Sequence, residues 1–260
     1  MPWIETENLS LHVAEEGHGD PPLILIHEMG GSLESWRLVI ARLARSRRTI
    51  AVDLRGAGQS EKPRQPFELV DLADDLAEVL GKLGHPIVDI AGAAMGSVVA
   101  TTMAIRHNDR VRRLVLCNVT DSMPEAAREH LRDRISAARE GGMRAVAQAA
   151  LAGSFPSGFD AQRAAYLPIF LSNDPHCYGE LAMSLVRFDF EAQALADIRC
   201  PSLVIAPELD AIWPPASGQR VASRIPGAEF ALLPDAAHLP HVQCPEPMAA
   251  QMESFLERDM

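Results

Sequence analysis

Short apolar, β-branched runs recur along this chain, each followed by a longer stretch with helical spacing, and that alternation restricts its fold more than any other feature. Pro22-Leu-Ile-Leu-Ile26 is a continuous apolar run of strand length, as expected for a strand covered on both faces. Thr49–Asp53, Ile87–Ala91, Leu114–Asn118, Ser202–Ala206 and Glu229–Leu233 have the same character. Between them lie helical patterns. Ser35–Ala44 carries Trp36, Ile40 and Leu43 on one face, and Leu69–Leu83 repeats apolar residues at helical spacing until Gly84 and Pro86 stop it. Gly96–His107 and a last helix from Pro245 to about Glu257 complete the series. The opening residues read as a hairpin, Trp3–Thr6 and Leu9–Ala14. Strand and helix alternating in this way predict an α/β fold: a mostly parallel central sheet with helices on both faces.

The alternation stops between Asp121 and Glu191, where only helical patterns occur: Pro124–Arg139, Met143–Leu151, Ala161–Leu171 and Tyr178–Val186. A helical insertion after one strand of such a sheet is expected over the carboxyl ends of the strands, where ligands bind. The chain therefore divides into a core, 1–120 and 192–260, and a helical cap, 121–191.

Composition narrows the partners. With 24 basic and 35 acidic residues the formal charge is −11, which argues against a surface that tracks nucleic acid or acidic lipid. No apolar run approaches the ~18 residues that span a bilayer. No secretory signal is visible at the start, and the four cysteines are widely spaced with no CxxC, so a cytoplasmic protein with reduced thiols is expected. A small molecule is the expected partner, and the sequence is silent on oligomeric state.

The chemistry concentrates at a few turns. Asp89-Ile-Ala-Gly-Ala-Ala-Met-Gly-Ser97 has the strand-to-helix setting of a nucleophile elbow, with Gly92 and Gly96 at the spacing of G-x-S-x-G. The nucleophile position is Ala94, which has no lone pair to attack with. His27-Glu-Met-Gly-Gly31 follows the buried strand, Asp210 follows a late strand, and His238 follows the last. An acid and then a histidine downstream of the elbow is the order of a hydrolase triad, in which Asp210 would orient His238 and His238 would act as base.

These motifs cover nearly the whole chain and resemble the α/β-hydrolase superfamily. Leu114-Val-Leu-Cys-Asn-Val119, Ala138-Arg-Glu-Gly-Gly-Met143 and Ile198-Arg-Cys-Pro-Ser-Leu-Val-Ile205 are similar to the 3-oxoadipate enol-lactonase group. That resemblance implies hydrolysis of a small ester or lactone, such as a carboxylated enol-lactone, by a Ser-His-Asp mechanism. It implies that position 94 is the serine site and that Met29 and Met95 offer the two oxyanion-hole N–H groups. No cofactor and no metal are implied. This sequence departs from the group at Ala94, at Glu28, where a glycine or small polar residue is usual, and at Ser97, where glycine is common.

Ala94 admits two readings: a serine replaced to inactivate an otherwise intact site, or a protein that works without a covalent nucleophile. The intact acid, base, glycines and cap favour the first. Glu28 either turns to solvent or a loop, or points inward. Pointing inward, it would make an acid–base pair with His238 for an isomerase, lyase or water-addition mechanism. A binding protein without catalysis is the third reading. Ser97 lies a turn beyond the elbow and is a poor substitute nucleophile. Trp213 follows Asp210 and is expected either to wall a substrate pocket or to pack in the core. His238 and His241 could share a helix face as metal ligands, but no carboxylate at metal spacing supports this. Arg139, Arg144 and Arg187 lie in the cap and as a group could clamp a substrate carboxylate, while each on its own is expected at the surface.

Overall fold

A computed structural model describes residues 2–258. The chain runs through β1 (Trp3–Glu5), β2 (Ser10–Glu16), β3 (Leu23–Ile26), α1 (Arg37–Leu43), β4 (Thr49–Val52), α2 (Leu69–Leu83), β5 (Val88–Ala93), α3 (Met95–Arg106) and β6 (Val111–Cys117). Four helices follow: α4 (Glu125–Ser154), α5 (Asp160–Leu171), α6 (Pro175–Arg187) and the short α7 (Ala192–Ala196). The chain then returns through β7 (Ser202–Pro207), α8 (Pro215–Arg224), β8 (Glu229–Leu233), α9 (Pro240–Gln243) and α10 (Pro245–Leu256).

The strands form one sheet in the order β1-β2-β4-β3-β5-β6-β7-β8. The hairpin β1–β2 and the β2–β4 pairing are antiparallel; every other pairing is parallel. This is the mostly parallel α/β sheet that the alternation predicts.

β3 shows why its run is uniformly apolar. Side chains alternate across a strand, so Ile24 and Ile26 enter the core beneath α2 and α3, while Leu23 and Leu25 enter the one beneath α1 and α10. α2 has the predicted bounds because both ends are capped. The Glu68 and Asp71 carboxylates exchange hydrogen bonds with the backbone N–H groups at its start, and Gly84, at φ 78°, turns the chain at its end.

The two helices expected over Pro124–Arg139 and Met143–Leu151 are both present, run together as α4 and separated by a break where Gly142 adopts φ 72°, ψ −176°. Two details depart from what the periodicity predicts. The short α7 and α9, close to a single turn each, are too brief to leave a periodic signal. α8 leaves none either, because its buried face consists of Ser217, Gly218, Val221 and Ala222. A helix that lies this close to a sheet carries small residues, and those give no apolar stripe to read.

Candidate active site

A sharp turn joins β5 to α3. Ala94 sits there at φ 49°, ψ −116°, a conformation that costs a residue with a Cβ of order 1–3 kcal/mol. The flanking glycines make the turn possible. A Cβ on Gly92 would lie 2.1 Å from the Gly96 carbonyl oxygen, and one on Gly96 would lie 2.2 Å from that of Ile26. Ser97 faces the other way: it is fully buried, with its hydroxyl 2.7 Å from the carbonyls of both Gly92 and Cys117. It pins the elbow to the sheet. Burial pushes the neighbouring Cys117 thiol up, so it carries no thiolate beside this turn.

Two loops at the carboxyl ends of β7 and β8 bring an acid and a histidine together. The Asp210 carboxylate accepts the N–H groups of Ile212 at 2.9 Å and Trp213 at 3.0 Å, which fixes its orientation. His238 Nδ1 lies 2.9 Å from Asp210 Oδ2 and donates to it, which leaves the Nε2 lone pair free. The Trp213 indole stands edge-on to the His238 ring, with centroids 5.7 Å apart. Asn118, at the end of β6, connects these loops to the elbow. Its Oδ1 accepts the Ala94 N–H at 3.2 Å, and its Nδ2 donates to the His238 carbonyl at 2.8 Å.

Ala94, Met29, Met95, Trp213 and His238 border one cavity of about 630 Å³, its mouth to solvent included. Neither the Met29 nor the Met95 N–H donates to another group among the described residues. The remaining wall is largely apolar and comes from α4 to α6, with Leu131, Leu151, Phe170 and Leu185 among its residues. His27, just before Glu28 and Met29, donates from Nδ1 to the Glu28 carbonyl at 2.8 Å and accepts the Leu54 N–H on Nε2 at 3.1 Å. It braces the loop rather than serving the cavity.

Glu28 faces inward, one of its two expected placements, but does not pair with His238. It is buried and borders the cavity, but its partners are Ser35, Tyr166 and His241 rather than solvent or His238. Burial alone would raise its pKa. The charge and hydrogen bond of His241, then His27 and the Tyr166 hydroxyl, outweigh this and hold it at about 2. Both carboxylate oxygens are taken up by Ser35, Tyr166 and His241, and neither bonds to His238. His241 is thereby also committed, and no cluster of three or more metal-ligating side chains occurs among the described residues.

The three arginines of the helical insertion take the surface placement expected of each on its own, and none borders the cavity. Arg139 pairs with Glu180, Arg187 pairs with Glu68 at the surface, and Arg144 is exposed, outside the cavity. Arg134 borders the cavity instead. It donates to the Tyr178 hydroxyl and lies 5.8 Å from that ring's centroid, while its buried Nε has no partner. It forms no ion pair with a carboxylate among the described residues. Asn118, Tyr166 and Arg134 have no sequence signal of their own, because their roles depend on which elements pack together.

A sequence profile of the alpha/beta hydrolase fold family matches residues 21–245. The chain belongs to that family. Its relatives include the (E)-2-((N-methylformamido)methylene)succinate hydrolase of Acinetobacter baylyi, 26% identical over 97% of this chain and 96% of that protein. Another is the dihydrolipoyllysine-residue acetyltransferase component of the acetoin cleaving system of Pseudomonas putida, 29% identical over 93% of this chain; the match spans 65% of that longer protein. Among solved structures, the enol-lactonase of Burkholderia xenovorans LB400 superposes with a TM-score of 0.93 at 26% identity, covering 99% of this chain and 100% of that one. This family member therefore has that fold, with Ala94 at the turn between β5 and α3. No helix among the described residues is long and apolar enough to cross a membrane.

Proposed function

We propose that this site hydrolyses small esters or lactones when position 94 carries serine, and that Ala94 leaves the chain inactive as a hydrolase. The observation that carries the reading is the held turn at Ala94 beside an oriented Asp210–His238 pair, 2.9 Å apart, on one cavity. A strained elbow with a buried acid–histidine pair alongside is the arrangement that activates a hydroxyl. In this reading His238 takes the proton from the Oγ of a serine at position 94 and returns it to the leaving group. Asp210 holds the ring and stabilises the imidazolium, and the Met29 and Met95 N–H groups receive the developing oxyanion. Residues 121–191 form the cap that covers the cavity and excludes water.

Arg134 extends the reading to the substrate. A cation with an unused buried donor, in the cavity of a chain whose net charge is −11, favours a carboxylated ester or lactone. The succinate in the name of the Acinetobacter relative agrees with that class.

The test is Ala94→Ser, assayed with p-nitrophenyl acetate and a small lactone. Turnover that disappears on adding His238→Ala supports the reading. A serine variant inert toward every short ester and lactone overturns it. Turnover by the unaltered alanine chain would instead show His238 working on a bound water without an acyl-enzyme.

A further inference from the structure

Glu28 occupies a position that the catalytic reading leaves unexplained. It directly precedes Met29 in the loop after β3, and its side chain folds back over Gly31, where a Cβ would lie 2.0 Å from Glu28 Oε1. Only a glycine leaves room for that. Once folded back, the carboxylate is shared by three elements. Oε1 accepts the Ser35 hydroxyl at 2.8 Å, from the turn leading into α1, and the Tyr166 hydroxyl of α5; Oε2 accepts His241 Nε2 of α9 at 2.8 Å. α9 begins two residues after His238, so the same carboxylate reaches both the Met29 loop and the histidine loop.

Helix α5 makes further contacts with this loop. Tyr166, Phe170 and Asn173 recur at i, i+4 and i+7, one face of a helix and the turn that ends it. The Phe170 ring fills the space beside Gly30, where a Cβ would lie 2.8 Å from it, and Asn173 Nδ2 donates to the Gly30 carbonyl at 2.9 Å. The loop carrying the Met29 N–H is therefore shaped as much by the helical insertion as by the sheet.

We propose that Glu28 is a positioning residue: its carboxylate ties the Met29 loop to cap helix α5 and to the histidine loop, and so holds the oxyanion-side N–H and the His238 ring in one arrangement. The catalytic consequence rests on the hydrolase reading above; the anchor itself does not. Every carboxylate oxygen already has a protein donor, so Glu28 acts through geometry and takes no part in proton transfer. Glutamine at this position keeps an acceptor for Ser35 and Tyr166 and presents an N–H to His241, whose other tautomer can accept it. Alanine keeps nothing.

The test has two arms. In the Ala94→Ser background with p-nitrophenyl acetate, Glu28→Ala lowers kcat on the order of 10- to 100-fold, while KM moves by less than about threefold, as expected for a misplaced reacting group. Glu28→Gln recovers most of that loss. In the Ala94 chain, hydrogen exchange of Glu28→Ala speeds up in residues 27–31, 160–173 and 238–243 and not in α2 or α10. Tyr166→Phe speeds it up in 160–173 alone. A glutamine variant as poor as the alanine variant overturns positioning in favour of charge, and unchanged exchange in all three segments overturns the anchor. If Glu28→Ala does not fold, Tyr166→Phe decides: unchanged protection over 160–173 overturns the proposal. If Ala94→Ser alone hydrolyses nothing, the hydrolase reading fails and the exchange arm still tests the anchor.

Discussion

Adding a single methyl group at Gly96 sets two effects of opposite sign against each other. Gly96 lies in the first turn of α3, where replacing glycine by alanine ordinarily stabilises a helix by up to about 1 kcal/mol. Against this, the new Cβ would lie 2.2 Å from the Ile26 carbonyl oxygen and 2.7 Å from that of His27. Both are backbone atoms of the central strand and its exit, so neither can rotate away. The contact falls about 1 Å or more short of van der Waals separation, and α3 must lift from β3. Overpacking of this kind costs about 1–3 kcal/mol, which exceeds the helical gain. Gly81 supplies the internal control. It also lies in a helix, α2, but its Cβ would meet nothing nearer than Arg110 Nη1 at 3.9 Å, an ordinary contact. Urea unfolding of the two variants should therefore diverge: Gly81→Ala gains up to about 1 kcal/mol and Gly96→Ala loses about 1–2. For a chain of this size each kcal/mol corresponds to roughly 2–4 °C in Tm. A Gly96→Ala variant as stable as the parent, or a Gly81→Ala variant that loses as much, would refute the close-approach argument.

Four further outcomes follow from the geometry. In the Ala94→Ser background, Asp210→Asn should leave the fold intact and lower kcat on the order of 10⁴-fold, because Nδ1–H loses its acceptor and the ring its tautomer. In the same background, Arg134→Gln should raise KM roughly 10-fold or more for a carboxylated ester and leave a neutral ester of the same length nearly unchanged, as read from initial-rate kinetics. Carbon-13 NMR of the Glu28 carboxyl should show no protonation step between pH 6 and pH 3. With its pKa held at about 2 against the usual 4.5, Glu28 contributes stability that is fully present above 4.5 and lost only as pH falls toward 2. Burial pushes the Cys117 thiol up and that of Cys177 to about 11, so an aromatic disulfide reagent at pH 8 should label both only after denaturant unfolds the chain.

Local chemistry makes much of this protein legible in its sequence. A buried parallel strand must be apolar on both faces, which is why Leu23–Ile26 announces its place at the centre of the sheet. Caps at Glu68 and Gly84 set the ends of α2 within its own residues. Gly92 and Gly96 mark the elbow because no other residue fits a backbone that close. Asp210 and His238 stand out by their order along the chain, and they lie 2.9 Å apart. In each case the information resides within a few residues or in the order of elements around a sheet.

What a linear sequence does not contain is which distant groups meet. Its own neighbours suggest solvent, a loop or His238 for Glu28. The actual partners, Tyr166 and His241, stand 138 and 213 residues away and reach it only because α5 and α9 pack on the loop after β3. Nothing in the sequence separates Arg134 from Arg139, Arg144 and Arg187, since one arginine on a helix resembles another until a cavity forms against one face. α8 stays hidden because small residues, not an apolar stripe, let it approach the sheet. Periodicity, caps and glycine spacing are properties of neighbouring residues and survive in a linear text. The direction of a buried carboxylate and the charge of a cavity wall arise from packing, and only the folded chain decides them.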